Sequence, residues 1–248
     1  MGRRMSYIVE LKNVSFSAQN RTLVSELSYR FEEGKATAMI GPSGSGKSTV
    51  LKLAAGLYPP SEGEVLFRDR DIFRMSRQEN LLFRKEAAVV FQDSALWANQ
   101  TLLQTLELPL RMHFPSMTQK EREKRIESVA ADVGYKKDLG IRPAGLSAGE
   151  QKLIGFARAL ICRPRLLYLD EWTESLDENS AQRLIGMVGK LRGEGVSIIL
   201  VSHDIRVIRN IVDTVLIIIG GRITQELSKD QITTNEDLSG YIEKGISS

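Results

Sequence analysis

Short apolar runs alternate along the chain with longer stretches in which apolar residues recur every three or four positions. The apolar runs are continuous and strand-sized, as is typical of strands buried on both faces of a sheet, and they occupy residues 36–40, 166–169, 197–201 and 215–219. The helical spacing predicts helices over residues 48–57, 119–133, 151–161 and 180–191. Strands that alternate with helices in this way predict an α/β fold, with a parallel sheet covered by helices.

The same pattern locates a hairpin and an insertion. Gly220 and Gly221 directly follow an apolar run and predict a hairpin turn into a short strand at 222–224. The middle of the chain is rich in Leu, Gln, Glu, Lys and Arg and contains no buried-strand run. We therefore expect a single domain over residues 1–248 with an inserted helical subdomain at approximately 94–160, which begins with an exposed segment containing Trp97.

The composition narrows the class of protein. Hydrophobic residues make up 42% and charged residues 26% of the chain, which excludes disordered and fibrous architectures. Lys and Arg number 34 and Asp and Glu 31, so the net charge of +3 gives no electrostatic argument for nucleic acid, and we expect no such partner. The single Cys162 excludes a disulfide framework within the chain and fits a reducing compartment. No apolar run approaches the ~20 residues of a membrane helix, and none follows Arg3 and Arg4 as in a signal peptide.

One motif fits the phosphate-binding pattern G-x-x-x-x-G-K-[ST] and lies between a predicted strand and a predicted helix. Its residues are Gly41, Pro42, Ser43, Gly44, Ser45, Gly46, Lys47, Ser48 and Thr49. Its glycines let backbone N–H groups converge on phosphate oxygens at the positive end of the next helix. Lys47 would place its charge on the β- and γ-phosphates, and the Ser48 hydroxyl would bind Mg²⁺. The alternative is an ordinary glycine turn before a helix; the position between strand and helix favours a nucleotide site.

A second motif is the apolar run that ends in Asp170 and Glu171. Ligands of open α/β sheets bind at the carboxyl ends of the strands, where Asp170 emerges. Beside a phosphate-binding loop, Asp170 is placed to hold Mg²⁺ through water, and Glu171 is placed to polarise an attacking water as a general base. The alternative is a pair of solvated loop acids.

Further motifs follow in an order that resembles the ATP-binding-cassette (ABC) ATPase family. The family's signature, Leu-Ser-Gly-Gly-Gln, is similar to Leu146-Ser147-Ala148-Gly149-Glu150. The alternative for this segment is an ordinary helix N-terminus, with a capping box from Ser147 to Glu150. Gln92 follows a strand-like segment as the family's glutamine loop does, Glu174-Ser175-Leu176-Asp177 resembles its aspartate loop, and His203 ends a strand like its switch histidine. The resemblance extends from about residue 9 to residue 227.

This resemblance implies a P-loop NTPase fold with a RecA-like parallel sheet core, an N-terminal antiparallel β subdomain and the inserted helical subdomain. It also implies that ATP and Mg²⁺ bind between two copies of the chain, arranged head to tail as a homodimer. Ser147 and Gly149 would then contact the γ-phosphate bound to the other copy, and Asp177 would border the nucleotide. Gln92 would sense Mg²⁺ and the attacking water, whereas His203 would contact the γ-phosphate and hold Glu171.

The chain departs from the family pattern at four positions. Ala18 stands where the family usually has a tyrosine that stacks on adenine, and Phe16 is expected in the core. Ala148 and Glu150 replace a glycine and a glutamine of the signature, and Trp172 replaces a proline, which would leave that turn less rigid. None of the four removes a residue that performs chemistry.

With one phosphate-binding loop, one signature and no membrane span, the chain resembles a separate ATPase subunit held on the cytoplasmic face of the membrane by transmembrane permease subunits. Residues 91–97 and 106–111 resemble the segment of ATPases that power lipid transport with mammalian-cell-entry (MCE) domain partners, in which Leu96 and Trp97 would line the groove for a permease coupling helix. Ordinary packing within the insertion is the alternative for these side chains. An ATPase for small solutes or drugs, and a cell-division-type regulator ATPase on a membrane partner, remain open, whereas members that act on ribosomes or DNA usually carry two cassettes or a long coiled coil.

Overall fold

Two sheets and the helices around them build the fold of residues 6–234, which are the residues that the computed structural model describes; the ends of the domain predicted over residues 1–248 lie outside them. The strands of the described chain are β1 Tyr7–Ala18, β2 Arg21–Glu32, β3 Ala36–Ile40, β4 Glu62–Phe67, β5 Arg70–Asp71, β6 Ala87–Val90, β7 Leu166–Asp170, β8 Ser197–Val201, β9 Thr214–Ile219 and β10 Arg222–Ser228. The α-helices are α1 Lys47–Ala54, α2 Arg77–Glu86, α3 Leu102–His113, α4 Gln119–Val133, α5 Ala148–Leu160, α6 Glu178–Gly193, α7 Ile205–Ile211 and α8 Lys229–Thr234.

The larger sheet has six strands in the order β10-β9-β3-β8-β7-β6. Its neighbours pair in parallel except for the β9–β10 hairpin, as the glycine pair predicted. Every residue of β3, β7 and β8 is buried, which confirms the prediction from their continuous apolar runs. Because parallel strands end at the same edge, the segments that follow β3, β7 and β8 meet at one side of the sheet.

The smaller sheet is antiparallel, in the order β2-β1-β4-β5, and it forms the expected N-terminal β subdomain. Helix α1 contributes to the core that the two sheets share. That core includes Val9, Phe31, Leu51, Leu53, Tyr168 and Ile218. The α/β fold class with its antiparallel subdomain is therefore confirmed, and α1 begins close to both sheets.

Three helices, α3, α4 and α5, lie between β6 and β7 in the chain and pack against one another. Each begins with a capping box, in which a hydroxyl accepts from the N3 backbone N–H while the N3 side chain accepts from the cap's own N–H; the pairs are Thr101–Gln104, Thr118–Glu121 and Ser147–Glu150. The prediction of a helix cap at Ser147 is confirmed. These caps fix where each helix begins without help from the core.

Several predicted bounds are wrong. The helix predicted over 151–161 is α5 Ala148–Leu160 and the one predicted over 180–191 is α6 Glu178–Gly193, because Ser147 and Asp177 cap these helices earlier in the chain. The helix predicted over 48–57 ends at Ala54, because Gly56 adopts a φ of +61° and a Cβ there would lie 2.6 Å from Cγ2 of Ile72. The strand predicted at 222–224 runs to Ser228, paired with β9 along its length. Across residues 6–234, no helix is both long enough and apolar enough to cross a bilayer.

Candidate nucleotide-binding and hydrolysis site

The loop from Gly41 to Gly46 joins β3 to α1 and depends on its glycines. Gly46 has a φ of +99° and is the N-cap of α1, and a Cβ at this position would lie 2.7 Å from the carbonyl oxygen of Leu23. Gly44 has a φ of +74°, and an added Cβ would meet no atom within 4 Å. The backbone at Gly44 is therefore accessible from the open side of the loop, beside the N-terminus of α1, which is the arrangement that binds phosphate.

Lys47, the first residue of α1, turns its side chain back onto this loop. The Nζ atom donates hydrogen bonds to the carbonyl oxygens of Gly41 at 2.8 Å and Pro42 at 2.9 Å. Burial lowers the pKa of the ammonium, whereas the carboxylates of Glu171 and Asp170 raise it. The cation is thus held beside the loop, close to two acids at the end of β7.

Ser48 and Asp170 form the set of oxygen ligands that suits Mg²⁺. The Ser48 hydroxyl donates to Oδ1 of Asp170 at 2.8 Å, and the Asp170 carboxyl is buried at the end of β7. Mg²⁺ is usually bound by one or two protein oxygens and completes its shell with water and phosphate oxygens. Residues 6–234 contain no group of three or more His, Cys, Asp or Glu that could hold a metal ion. The Ser48–Asp170 pair supplies oxygen atoms of the kind that Mg²⁺ prefers.

Glu171 begins the turn after β7 and faces His203, which follows β8. Its Oε1 lies 3.2 Å from Nε2 of His203, and its side chain is only 9% exposed. Burial, with help from the carboxylates of Glu174 and Asp170, raises the pKa of Glu171 to about 7. A carboxyl group with a pKa near 7 is matched to accept a proton at neutral pH.

The Glu171–His203 pair has energetically unfavourable features in both its backbone and its side chains. Glu171 adopts a φ of +41°, which non-glycine residues rarely do, and its N–H donates to the carbonyl oxygen of Val201 at 3.1 Å. Burial and the nearby Lys47 lower the pKa of His203, and its Nδ1 is buried with no hydrogen-bond partner within the described chain. Such costs are characteristic of functional sites rather than of structural packing.

Gln92 completes one side of the cavity between these segments. Its Nε2 donates to Oε2 of Glu174 at 3.0 Å. The cavity measures about 410 Å³ and is lined by Leu23, Ser43, Gly44, Gly46, Lys47, Ser48, Thr49, Gln92, Glu171, Glu174 and His203. Nine of the sequence-predicted residues, drawn from four separate segments and including His203, therefore face one cavity.

Several predicted site residues lie outside that cavity. Gly41 and Pro42 contribute carbonyls to Lys47, and Asp170 lines a neighbouring cavity of about 710 Å³. Asp177 caps α6 through a hydrogen bond of 3.0 Å from the Ser180 N–H.

Within a single chain the signature segment also stands apart from this cavity. Ser147 is exposed at the N-terminus of α5. Gly149 lies close to the loop after β7, since an added Cβ would lie 3.0 Å from the carbonyl oxygen of Ser175.

Ser45 of the phosphate-binding loop also lies outside the cavity lining. It is buried, and its hydroxyl lacks a partner within the described chain.

Sequence reasoning missed three residues of this region. Leu23 and Glu174 line the cavity, and Lys152 is buried against the loops that carry Gln92 and Glu171. The sequence placed Glu174 in the loop motif of residues 174–177 but predicted no role for it in the site. For Lys152 a signal existed, since a lysine one turn into an otherwise apolar helix face is unusual.

The departures from the family pattern have visible consequences. Phe16 stacks on Tyr58 with ring centroids 5.3 Å apart, and it is partly buried against the core rather than within it as expected. Ala18 is not part of the cavity lining. The turn after Glu171 does not depend on proline, because Trp172 is fully buried and packs against Phe156 of α5 at 5.6 Å. The expectation of a looser turn is therefore replaced by a turn anchored through an indole.

Known proteins are similar to this chain in sequence and in fold. Residues 24–174 match the family model described as ABC transporter. The methionine import ATP-binding protein MetN of Rhizobium johnstonii is 33% identical over 88% of this chain, and the intermembrane phospholipid transport system ATP-binding protein MlaF of Haemophilus influenzae is 31% identical over 93% of it. The match covers 88% of MlaF, but this chain spans only 60% and 64% of the MetN proteins of R. johnstonii and Latilactobacillus sakei.

A solved structure leads to the same assignment. The dimeric structure of the ATP-binding cassette MJ0796, in a post-hydrolysis state with ADP and Pi, aligns with a TM-score of 0.82 and 28% identity over 89% of this chain and 98% of that one. The chain belongs to the ABC transporter family, and its fold is that of the family's ATP-hydrolysing cassettes.

Proposed function

We propose that this chain is the ATP-binding and ATP-hydrolysing subunit of an ABC transporter. The observation that carries the proposal is the convergence of Lys47, the Ser48–Asp170 pair and the Glu171–His203 pair at one edge of the parallel sheet. Each group has a part in phosphoryl transfer to water, which depends on positioning and on neutralising phosphate charge.

The residues divide the work as follows. Lys47 and the N-terminus of α1 bind the phosphates, and Ser48 with Asp170 would hold Mg²⁺, which neutralises charge on the phosphate oxygens when it is bound. Glu171 accepts a proton from the attacking water, and His203 keeps that carboxyl in place across 3.2 Å. Gln92, fixed by Glu174, closes the side of the cavity where water would stand.

A second copy of the chain would complete the site. Ser147 and Gly149 lie at the N-terminus of α5, where unpaired N–H groups attract an anion. Because neither residue lines the cavity of its own chain, we propose that they bind the γ-phosphate held by the other copy, with Asp177 bordering the nucleotide. The aligned MJ0796 cassettes are dimeric, which supports a homodimer of this chain.

The hydrolysis proposal is tested with purified protein, ATP and Mg²⁺. We expect Glu171→Gln to bind ATP, to hydrolyse it more slowly by roughly 10²-fold or more, and to accumulate as a dimer in light scattering. Lys47→Ala should fail to bind or to stabilise the phosphates, and it should not accumulate that dimer. Hydrolysis by Glu171→Gln at the wild-type rate would refute the role of general base.

A membrane permease is the proposed partner, contacted through the segment from Gln92 to Leu110. Trp97 is 45% exposed, and its ring lies 6.0 Å from the Arg158 guanidinium, whereas Leu96 packs partly against the core. The adjacent groove is the cavity of about 710 Å³, whose lining includes Leu57, Tyr58, Phe91, Asp93 and Ala95. Exposed aromatic side chains beside a groove are typical of docking sites. The chain would thereby lie at the cytoplasmic face of the membrane.

Trp97→Ala tests this contact. We expect weaker permease binding, or weaker stimulation of hydrolysis by the permease, with basal hydrolysis and thermal stability unchanged. Ile219→Ala is the matched control, because Ile219 is an exposed apolar side chain at the β9–β10 hairpin. If Trp97→Ala unfolds the chain or abolishes basal hydrolysis, Trp97 is a core residue of the insertion and the docking argument fails.

For the transported substance we propose a lipid, moved with MCE-domain partners. The run from Ser94 to Trp97, the exposure of Trp97 and the similarity to MlaF support it. The similarity to MetN favours a second candidate, methionine import. In detergent micelles that contain this chain and the permease that copurifies with it, added phospholipid should stimulate hydrolysis; stimulation by methionine alone would refute the lipid assignment.

A further inference from the structure

Lys152 carries a buried cation at the meeting point of three segments. It lies in the second turn of α5, is 2% exposed, and donates hydrogen bonds to the main-chain carbonyl oxygens of Gln92 and, at 3.5 Å, of Glu171. Lysine is almost never fully buried unless it is paired. Here the acceptors are two carbonyls, and each belongs to a residue with a proposed part in hydrolysis.

The surroundings stabilise this ammonium in place. Burial lowers its pKa, whereas the carboxylates of Glu174, Asp93, Asp170 and Glu171 raise it. Removing the ammonium would take this donor from the Gln92 carbonyl oxygen and would leave the Glu171 carbonyl oxygen with the Glu174 N–H at 3.4 Å. It would also remove positive charge from a group of acids. A hydrophobic residue cannot replace either contribution.

The face of α5 that carries Lys152 follows the Gln92 loop for two turns. Gly155 approaches Ser94 so closely that a Cβ would lie 3.2 Å from its carbonyl oxygen, and Arg158 donates to the same oxygen at 3.1 Å. Residues three apart on a helix share one face. Of the two side chains on this face that donate hydrogen bonds, Lys152 and Arg158, only Lys152 also reaches the Glu171 turn.

We propose that Lys152 is a positioning residue for ATP hydrolysis, whose ammonium fixes the main chain at Gln92 and at Glu171 and so sets these two side chains at a constant separation across the cavity. The proposal rests on the hydrolytic function proposed above. It predicts that Lys152 affects the chemical step rather than the affinity for ATP, because the phosphate-binding loop is held by other contacts.

Kinetics provide the first test, with the full chain, ATP and Mg²⁺. Lys152→Met keeps the length of the side chain and should lower kcat by about 10- to 100-fold, as expected for a displaced reacting group, while KM and the Kd for ATP stay within about threefold. Lys152→Arg keeps a cation with several donors and should recover most of kcat. Arg158→Met loosens the same loop without touching the Glu171 turn, so its kcat should fall much less than that of Lys152→Met.

Fluorescence provides a test that does not depend on hydrolysis. The chain has two tryptophans, so in a Trp97→Phe background Trp172 alone reports on the turn that follows Glu171. Adding Lys152→Met should increase acrylamide quenching of Trp172, and adding Arg158→Met should not.

The outcomes separate the two proposals. Failure of the wild-type chain to hydrolyse ATP refutes the proposed function and the positioning role with it. If the wild type hydrolyses ATP and Glu171→Gln does not, the positioning role alone is overturned by a Lys152→Met variant that keeps wild-type kcat and quenching. It is also overturned if kcat, ATP affinity and Tm fall together without recovery in Lys152→Arg.

Discussion

Replacing Glu171 with glutamine should stabilise the folded chain at alkaline pH. Burial, together with the carboxylates of Glu174 and Asp170, raises the pKa of Glu171 from 4.5 to about 7, so the folded state binds this proton more tightly than the unfolded chain does. The stability linked to this proton is complete below pH 4.5 and is lost as the pH rises through about 7. An amide is neutral throughout and escapes this loss.

The size of the effect follows from the two pKa values. A pKa of about 7 in place of 4.5 corresponds to about 3 kcal/mol of lost stability above pH 7. The amide must also be buried and lacks the attraction to Lys47, so we expect a net gain of about 1–3 kcal/mol at pH 8. For a chain of 248 residues this raises Tm by roughly 2–12 °C. At pH 5 we expect Glu171→Gln to gain less than about 1 kcal/mol of stability over wild type.

Urea unfolding at pH 8 and pH 5 measures the difference. The buffer contains EDTA and no nucleotide, because ligands bound to the folded state would add their own stabilisation. Glu127→Gln, an exposed change on α4, is the matched control and should stay within about 0.5 kcal/mol of wild type at both values. Equal effects of Glu171→Gln at the two pH values, or a loss of stability at pH 8, would refute the assignment of Glu171 as a buried carboxyl with a raised pKa.

Three further predictions concern other side chains. Because Ala18 cannot stack on a base, GTP should compete with ATP within about tenfold, and Ala18→Tyr should favour ATP in competition binding. Burial lowers the pKa of His113 below 6.5, so its contribution to stability is present above that pH and lost below it; the urea midpoint of His113→Gln should therefore fall less than that of wild type between pH 8 and pH 5.5. Trp172→Ala should cost about 3–5 kcal/mol. Trp172→Phe should lie within about 1 kcal/mol of wild type, because about 2 kcal/mol of lost packing is offset by removing an indole N–H that is buried without an acceptor in the described chain.

Helix-capping signals and continuous apolar runs in the sequence were sufficient to predict many of the helices and strands. The helix predicted over 119–133 has those bounds as α4, because Thr118 and Glu121 form its capping box and Gly134 ends it in a left-handed conformation. The buried strands β3, β7 and β8 were visible as continuous apolar runs. By contrast, β1 and β2 gave no individual prediction, since register shifts at several points along their pairing break the two-residue alternation.

The site was predictable in its residue types but not in its contacts. The glycines, Lys47 and Ser48 follow a short motif, and short motifs are local. The bond between Ser48 and Asp170, and the one from Lys152 to Gln92, join residues that are 122 and 60 positions apart. The first pair depends on the β3–β8 and β7–β8 pairings of the sheet, and the second depends on the packing of α5 against β6. Both arrangements are decided by tertiary packing.

The energetically unfavourable groups described above are concentrated at the carboxyl end of β7. Glu171 combines a left-handed backbone with a carboxyl whose pKa is raised to about 7, and the neighbouring Lys152 is a buried cation. Unfavourable groups of this kind persist only where surrounding packing holds them. Trp172 supplies that packing, because it directly follows Glu171 and its indole is fully buried against Phe156 of α5. Helix α5 thus anchors the turn through an aromatic contact and through Lys152, and a displacement of α5 would move Glu171 by both routes.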